Sequence, residues 1–179
     1  GRVAVNLSSK QFALPDLQLR IESILRLTQL PAANLELEIT EGTVIKEPEK
    51  AIKVMQQLSK MGVSLALDDF GTGYSSLSYL KRFPIHTLKI DKAFVDDIDK
   101  SDRDLKMVDS IITIAHNMGL SVVGEGVEEP SQLNILRALK CEEIQGYIYS
   151  KAVTEIEFTK LLRLDANNQQ LPPKSVKTN

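Results

Sequence analysis

Cysteine is almost absent: the 179 residues hold one, Cys141. A lone thiol forms no intramolecular disulfide, which excludes a disulfide-stapled scaffold and fits a reducing, cytoplasmic setting. No apolar run approaches the roughly 18 residues of a membrane span, and no signal-peptide core is present, so this chain carries no membrane segment of its own. A parent protein anchored through another segment stays open. Nine glycines are far too few for a collagen-like repeat. No basic block exists, and a pI near 5.8 argues against binding to duplex nucleic acid. What is there is ordinary for a globular domain: 42% hydrophobic residues, 26% charged and a formal net charge of −2. The length suits one domain with a sizeable core.

Strand and helix signals alternate from end to end. Short β-favouring runs stand at Val3–Val5, Leu35–Ile39, Val63–Leu67, Thr87–Ile90 and Ser121–Gly124, with a last one within Glu143–Ile148. Mostly helical spacing of apolar residues follows Pro15-Asp16 (Leu17, Leu19, Ile21, Ile24, Leu25, Leu27), and helical spacing recurs over Pro48–Met61, Arg103–Met118, Pro130–Leu139 and Thr154–Leu164. A shorter helix is expected near Ser76–Lys81. Gly62 and Gly119 stand where helices stop. Six strands joined by helical crossovers imply an α/β class with a parallel sheet, either open or curled into a barrel. Residues 1–164 read as the domain. Residues 165–179, without apolar periodicity and containing Pro172-Pro173, read as a mobile tail or linker.

The carboxyl ends of the strands carry the chemistry. They deliver Asn6, Glu38, Asp68 with Asp69, Lys89, Glu125 and Gln145. In a parallel α/β sheet or barrel these ends share one face, where ligands bind. Four carboxylates there need compensation, because like charges at close range raise one another's pKa. Lys89 offsets one, and a divalent cation suits the rest. Oxygen donors favour Mg²⁺ or Mn²⁺, whereas His86, His116 and Cys141 lack zinc-ligand spacing. Adjacent Asp68 and Asp69 can hold two ions only if the strand is ending there, because side chains in a strand alternate. Two ions roughly 3.5–4 Å apart are the usual device for phosphodiester cleavage. Taken alone, the pair could equally cap the loop through Asx turns, Lys89 could be a solvated edge residue, and Glu125 could cap the following helix. The loop Phe70–Ser76 (FGTGYSS) has two glycines one residue apart but is not a nucleotide P-loop. Glu41 could fix that loop or lie on the surface.

Six ordered segments together resemble the EAL domain family, bacterial phosphodiesterases of the second messenger cyclic di-GMP. They are Val5-Asn6-Leu7-Ser8 with Gln11, Glu36–Glu41 (ELEITE), Leu67–Leu77 (LDDFGTGYSSL), Leu88–Asp91 (LKID), Gly124–Glu128 (GEGVE) and Gln145-Gly146-Tyr147. The resemblance spans residues 3 to 163. It implies a (β/α)₈ TIM-type barrel variant, of which about six β/α units are present here. It implies hydrolysis of one phosphodiester bond of cyclic di-GMP with Mg²⁺ or Mn²⁺ in a two-metal site. By resemblance, Asn6, Glu38 and Asp68 are metal ligands, with Asp68 bridging and Asp69 serving the second ion. Lys89 stands near the nucleophilic water and phosphate. Glu125 is the candidate base or second-site residue, Gln145 lines the site, and Glu41 anchors the glycine loop.

The Glu-Ala-Leu motif that names the family is absent. A barrel of this type has about 250 residues, so the expectation is a domain whose first two strands are missing. Two unpaired edges would follow, completed by another chain or by dimerisation through the open side. Gly124, Glu142 and Ala152 stand where Ala, Asp and Pro are usual, and are expected to be tolerated. A non-catalytic receptor for the nucleotide is the alternative function. An upstream sensor or cyclase domain is compatible with either.

Overall fold

A computed structural model describes residues 1–71 and 77–166, with side chains described through residue 163. In chain order the elements are β1 (Val3–Asn6), α1 (Ser9–Phe12), α2 (Leu17–Thr28), β2 (Leu35–Thr40), α3 (Glu41–Lys46), α4 (Pro48–Lys60) and β3 (Ser64–Phe70). Then come α5 (Leu77–Leu80), β4 (Thr87–Ile90), α6 (Lys92–Val95), α7 (Asp102–Asn117), β5 (Ser121–Gly124), α8 (Pro130–Ala138), β6 (Glu143–Ile144) and α9 (Glu155–Ala166). A 3₁₀ turn at Ala32–Asn34 leads into β2. The strands pair in the order β1-β2-β3-β4-β5-β6, all parallel, and curl into a partial TIM-type barrel with helices outside.

Local chemistry accounts for the longer elements. Helix α4 begins with Pro48 in its first turn and buries Ala51, Ile52, Met55 and Leu58 on one stripe. It ends ahead of Gly62, whose φ of +86° an L side chain would resist. Helix α7 is capped by Ser101, whose hydroxyl accepts from the Asp104 amide at 3.2 Å. It lays Val108, Ile111, Ile112 and Ala115 against the sheet. The expected helices and strands stand within a few residues of these bounds, whereas the one-turn helices α1, α3 and α6 are additions. Ser8 and Gln11 form a reciprocal capping box at α1, and Asp91 accepts from Ala93 N–H at the start of α6. Asp165 and Ala166, expected to begin the tail, instead continue α9; the rest of that expectation falls on residues 167–179, which lie outside the described ones.

Strand β2 shows how the lumen is filled. Leu35, Leu37 and Ile39 face the helices, while Glu36 and Glu38 alternate with them and are also buried. Both reach past β3 to β4: the Thr87 hydroxyl donates to Glu36 at 3.0 Å, and the Lys89 ammonium meets Glu38 at 2.8 Å. Such layers drawn from alternate strands are how TIM-type barrels pack their interiors. The lower layer, with Arg2 on Glu36 at 3.1 Å, plugs the amino-terminal end of the barrel. The upper layer is the candidate site. Strands β1 and β6 are the edges, and Val3 on β1 is 54% exposed.

Candidate active site

The site is centred on Lys89, which is only 3% exposed. Leu88 and Ile90 pack outward, so the alternation of β4 turns Lys89 into the barrel. Its ammonium lies 2.6 Å from Glu125, 2.8 Å from Glu38 and 3.4 Å from Asp68. Burial opposes the lysine's charge. Hydrogen bonds to Glu125 and Glu38, together with the charges of Glu125 and Asp68, outweigh that, and its pKa is raised. Lys89 is therefore a fixed cation that organises three carboxylates.

Asp68 and Asp69 reach one side by a backbone device. Strand β3 runs on to Phe70, past the point where it was expected to stop, but Asp69 adopts a left-handed φ of +56°. The pairing with β4 shifts register between Leu67 and Phe70. This irregularity breaks the two-residue alternation and lets adjacent side chains converge. Carboxylate oxygens of Asp68, Asp69 and Glu125 lie within 4.8 Å of one another. Burial, then the charges of Asp68 and Asp91 and a hydrogen bond with Asp91, push the Asp69 carboxyl up. Burial pushes Glu125 up as well, against the pull of Lys89. Three clustered hard oxygen donors of this kind fit a divalent cation.

The remaining site positions lie around this centre. Asn6 ends β1 in register with Glu38 on β2, with an exposed side chain. Gln145 follows β6; its backbone N–H donates to Gly124 at 2.8 Å, its carbonyl accepts from Val127 N–H, and its side chain is exposed. Glu41, 1% exposed at the start of α3, accepts from Gly71 N–H at 3.1 Å. It thereby holds the first glycine of the glycine loop; residues 72–76 of that loop lie outside the described ones.

Residue-by-residue reading missed several contributors. Asp91, the last residue of the LKID segment, shares a hydrogen bond with Asp69. Gln132 is a second: its side chain accepts from the Glu129 N–H at the start of α8, with no Ser or Thr cap in the sequence to signal it. Arg2 and Thr87 carry no local signal of their partnership with Glu36, because 34 and 51 residues separate them from it.

The EAL domain family profile matches residues 1–152. This chain belongs to the EAL domain family. Among relatives of this EAL domain is the cyclic di-GMP phosphodiesterase NbdA of Pseudomonas aeruginosa. It is 43% identical over 169 residues, covering 92% of this chain and 22% of NbdA. The PaMucR phosphodiesterase in complex with c-di-GMP superposes with a TM-score of 0.85 at 37% identity, covering 88% of this chain and 64% of that one. The Klebsiella pneumoniae BlrP1 manganese/cy-diGMP complex at pH 6 superposes with a TM-score of 0.78 at 32% identity, covering 84% and 38%. This EAL domain thus spans about a fifth of NbdA and less than two thirds of the PaMucR chain. Among its described residues no helix is long and apolar enough to cross a membrane.

Proposed function

We propose that this EAL domain forms part of a metal-dependent phosphodiesterase that opens one phosphodiester bond of cyclic di-GMP to give the linear dinucleotide. The observation that carries the reading is the convergence of Asp68, Asp69 and Glu125 beside a buried Lys89 at the carboxyl ends of the barrel strands. That is the face on which TIM-type barrels do chemistry. Relatives and neighbours whose names include cyclic di-GMP phosphodiesterase or cyclic di-GMP complexes support the choice of substrate.

In this reading Asp68, Asp69 and Glu125, with Glu38 and Asn6 beside them, hold divalent cations, Mg²⁺ or Mn²⁺. Such ions, when bound, supply Lewis acidity toward the phosphoryl oxygens and a more acidic water. The chain's own residues supply placement and charge. Lys89 keeps Glu38 and Glu125 apart and brings a positive charge toward the substrate phosphate. Where Glu125 acts as the base instead of holding a cation, it takes the proton from the attacking water as the water oxygen bonds phosphorus; the opposite phosphorus–oxygen bond breaks, and the released oxygen takes a proton from solvent. Glu41 restrains the glycine loop through Gly71, and Gln145 borders the opening. The site sits in the cytoplasm, and an open-sided barrel admits completion by a second copy or by an adjoining segment of a sensor- or cyclase-bearing parent.

The test follows linear product by chromatography with Mg²⁺ or Mn²⁺ and after chelation by EDTA. The 179-residue chain runs beside a version extended at its amino end through a Glu-Ala-Leu motif. Turnover that EDTA abolishes and metal restores supports the reading. If only the extended chain turns over, the added glutamate is required. If both chains bind the nucleotide and neither cleaves it, the domain is a receptor.

A further inference from the structure

Lys89 and Glu125 come from two paired strands: Lys89 stands opposite Val123, and Glu125 N–H donates to the Ile90 carbonyl at 3.2 Å. That ladder places the Glu125 backbone, and the 2.6 Å contact of its side chain with Lys89 depends also on how the segments after β4 and β5 are held together. The turn that starts at Glu125 is not rigid by sequence: Gly126 has a φ of +69°. On one side it is tied to the end of β6, with Val127 N–H donating to the Gln145 carbonyl at 3.1 Å and Ile148 N–H to the Val127 carbonyl at 3.0 Å. On the other side, beyond the backbone bond of Glu125 to Ile90, a buried side chain ties the turn to the segment after β4. Gln132, on the first turns of α8, is 4% exposed. Its Oε1 accepts from Glu128 N–H at 2.9 Å and Glu129 N–H at 3.0 Å, and its Nε2 donates to the Asp96 carbonyl at 3.1 Å. Asp96 follows α6, the segment that continues from the strand carrying Lys89. A buried amide using both donor and acceptor between two loops cannot be replaced by a hydrocarbon without stranding three backbone groups.

The same gap is crossed twice more. The Lys92 ammonium contacts Glu128 at 2.5 Å, and Ser131 Oγ donates to Asp99 at 2.7 Å. The Lys92–Glu128 pair is about half exposed and contributes little by itself. The buried amide is the anchor that solvent does not weaken.

We infer that Gln132 is a positioning residue for the site: by joining the Glu128-Glu129 amides to the Asp96 carbonyl, it holds the turn after Glu125 so that the Glu125 side chain stays on Lys89. This rests on the phosphodiesterase reading only for its kinetic consequence. The geometric consequence stands apart from it. Two readouts follow.

The first is the crystal structure of the full chain carrying Gln132→Met, which keeps the size and removes the amide. The expected result is a Lys89 Nζ to Glu125 Oε1 separation beyond about 4 Å, outside hydrogen-bond range. Retention of the short contact overturns the inference whether or not the chain turns over. The second is kinetic. Gln132→Met is expected to lower kcat about tenfold or more, with KM changed less than about threefold. In a Glu125→Gln background the same substitution is expected to cost less than about twofold, because its effect passes through Glu125. Gln132→Glu keeps the acceptor for both amides but loses the donor to the Asp96 carbonyl, and is therefore expected to recover little of kcat; recovery of most of kcat overturns the inference. Equal losses in both backgrounds overturn the inference. Should Gln132→Met fail to fold, Gln132→Asn is too short to span both loops and carries the same readouts. A parent chain without turnover counts against the phosphodiesterase reading, and the measured separation then decides this one.

Discussion

Gly146 lies against the backbone of Val127 so closely that a Cβ at position 146 would fall far inside contact distance of the Val127 carbonyl oxygen and amide nitrogen. The Val127 amide and carbonyl are bonded there to Gln145 and Ile148, so neither can retreat. Gly146 is therefore the hinge pin between the β5 turn and the end of β6.

Gly146→Ala is expected to destabilise the fold by about 3 kcal/mol, since backbone rather than a flexible side chain must give way. For a domain of this size that lowers the melting temperature by roughly 6–12 °C. Differential scanning calorimetry checks it, and an unchanged melting temperature would refute the close packing.

Lys89→Met keeps most of the side-chain volume and removes the charge that Glu38, Asp68 and Glu125 share. Breaking a buried ion pair on one side costs roughly 3–5 kcal/mol. The metal-free protein should lose about that much stability in urea, and hydrolysis should fall at least about 100-fold. Lys89→Arg should not rescue activity, because the planar fork does not fit a pocket shaped for a point charge.

Thr87→Val addresses the opposite end of the barrel. The substitution removes the hydroxyl that donates to Glu36, while Arg2 keeps its hold on the same carboxylate. A stability loss of about 1–2 kcal/mol is expected. Because the amino-terminal face of such barrels serves stability rather than chemistry, kcat should stay within about twofold. A larger fall in kcat at unchanged KM would contradict the division of the lumen into two layers.

Cys141 provides a pH-dependent readout away from the site. Burial pushes its thiol up to about 11, partly countered by backbone hydrogen bonds. Its folded pKa lies above its ordinary value of 9.0. The folded state therefore holds the proton more tightly, and the stabilisation is complete below pH 9 and lost as pH rises toward 11. Alkylation by iodoacetamide at pH 7.5 should be slow in the folded chain and fast in urea. Rapid modification of the folded chain would show the thiol to be accessible.

The sequence by itself determined the class of the fold and the face on which the chemistry stands. Periodicity places six strands, and each ends at the polar residues that form or border the site, because parallel strands bring their carboxyl ends together whatever the details of packing. Motifs as long as LDDFGTGYSSL and GEGVE carry enough information to be recognised without a structure. Tertiary structure alone decided which carboxylates converge. Asp68 and Asp69 share a side only through the left-handed turn at Asp69 and the register shift beside it, and no periodicity rule foresees a break in its own alternation. Likewise Glu38 meets Lys89, Glu36 meets Thr87 and Gln132 meets Asp96 across dozens of residues. Those meetings are set by the curl of the sheet and the packing of its crossovers, and local sequence holds no record of either.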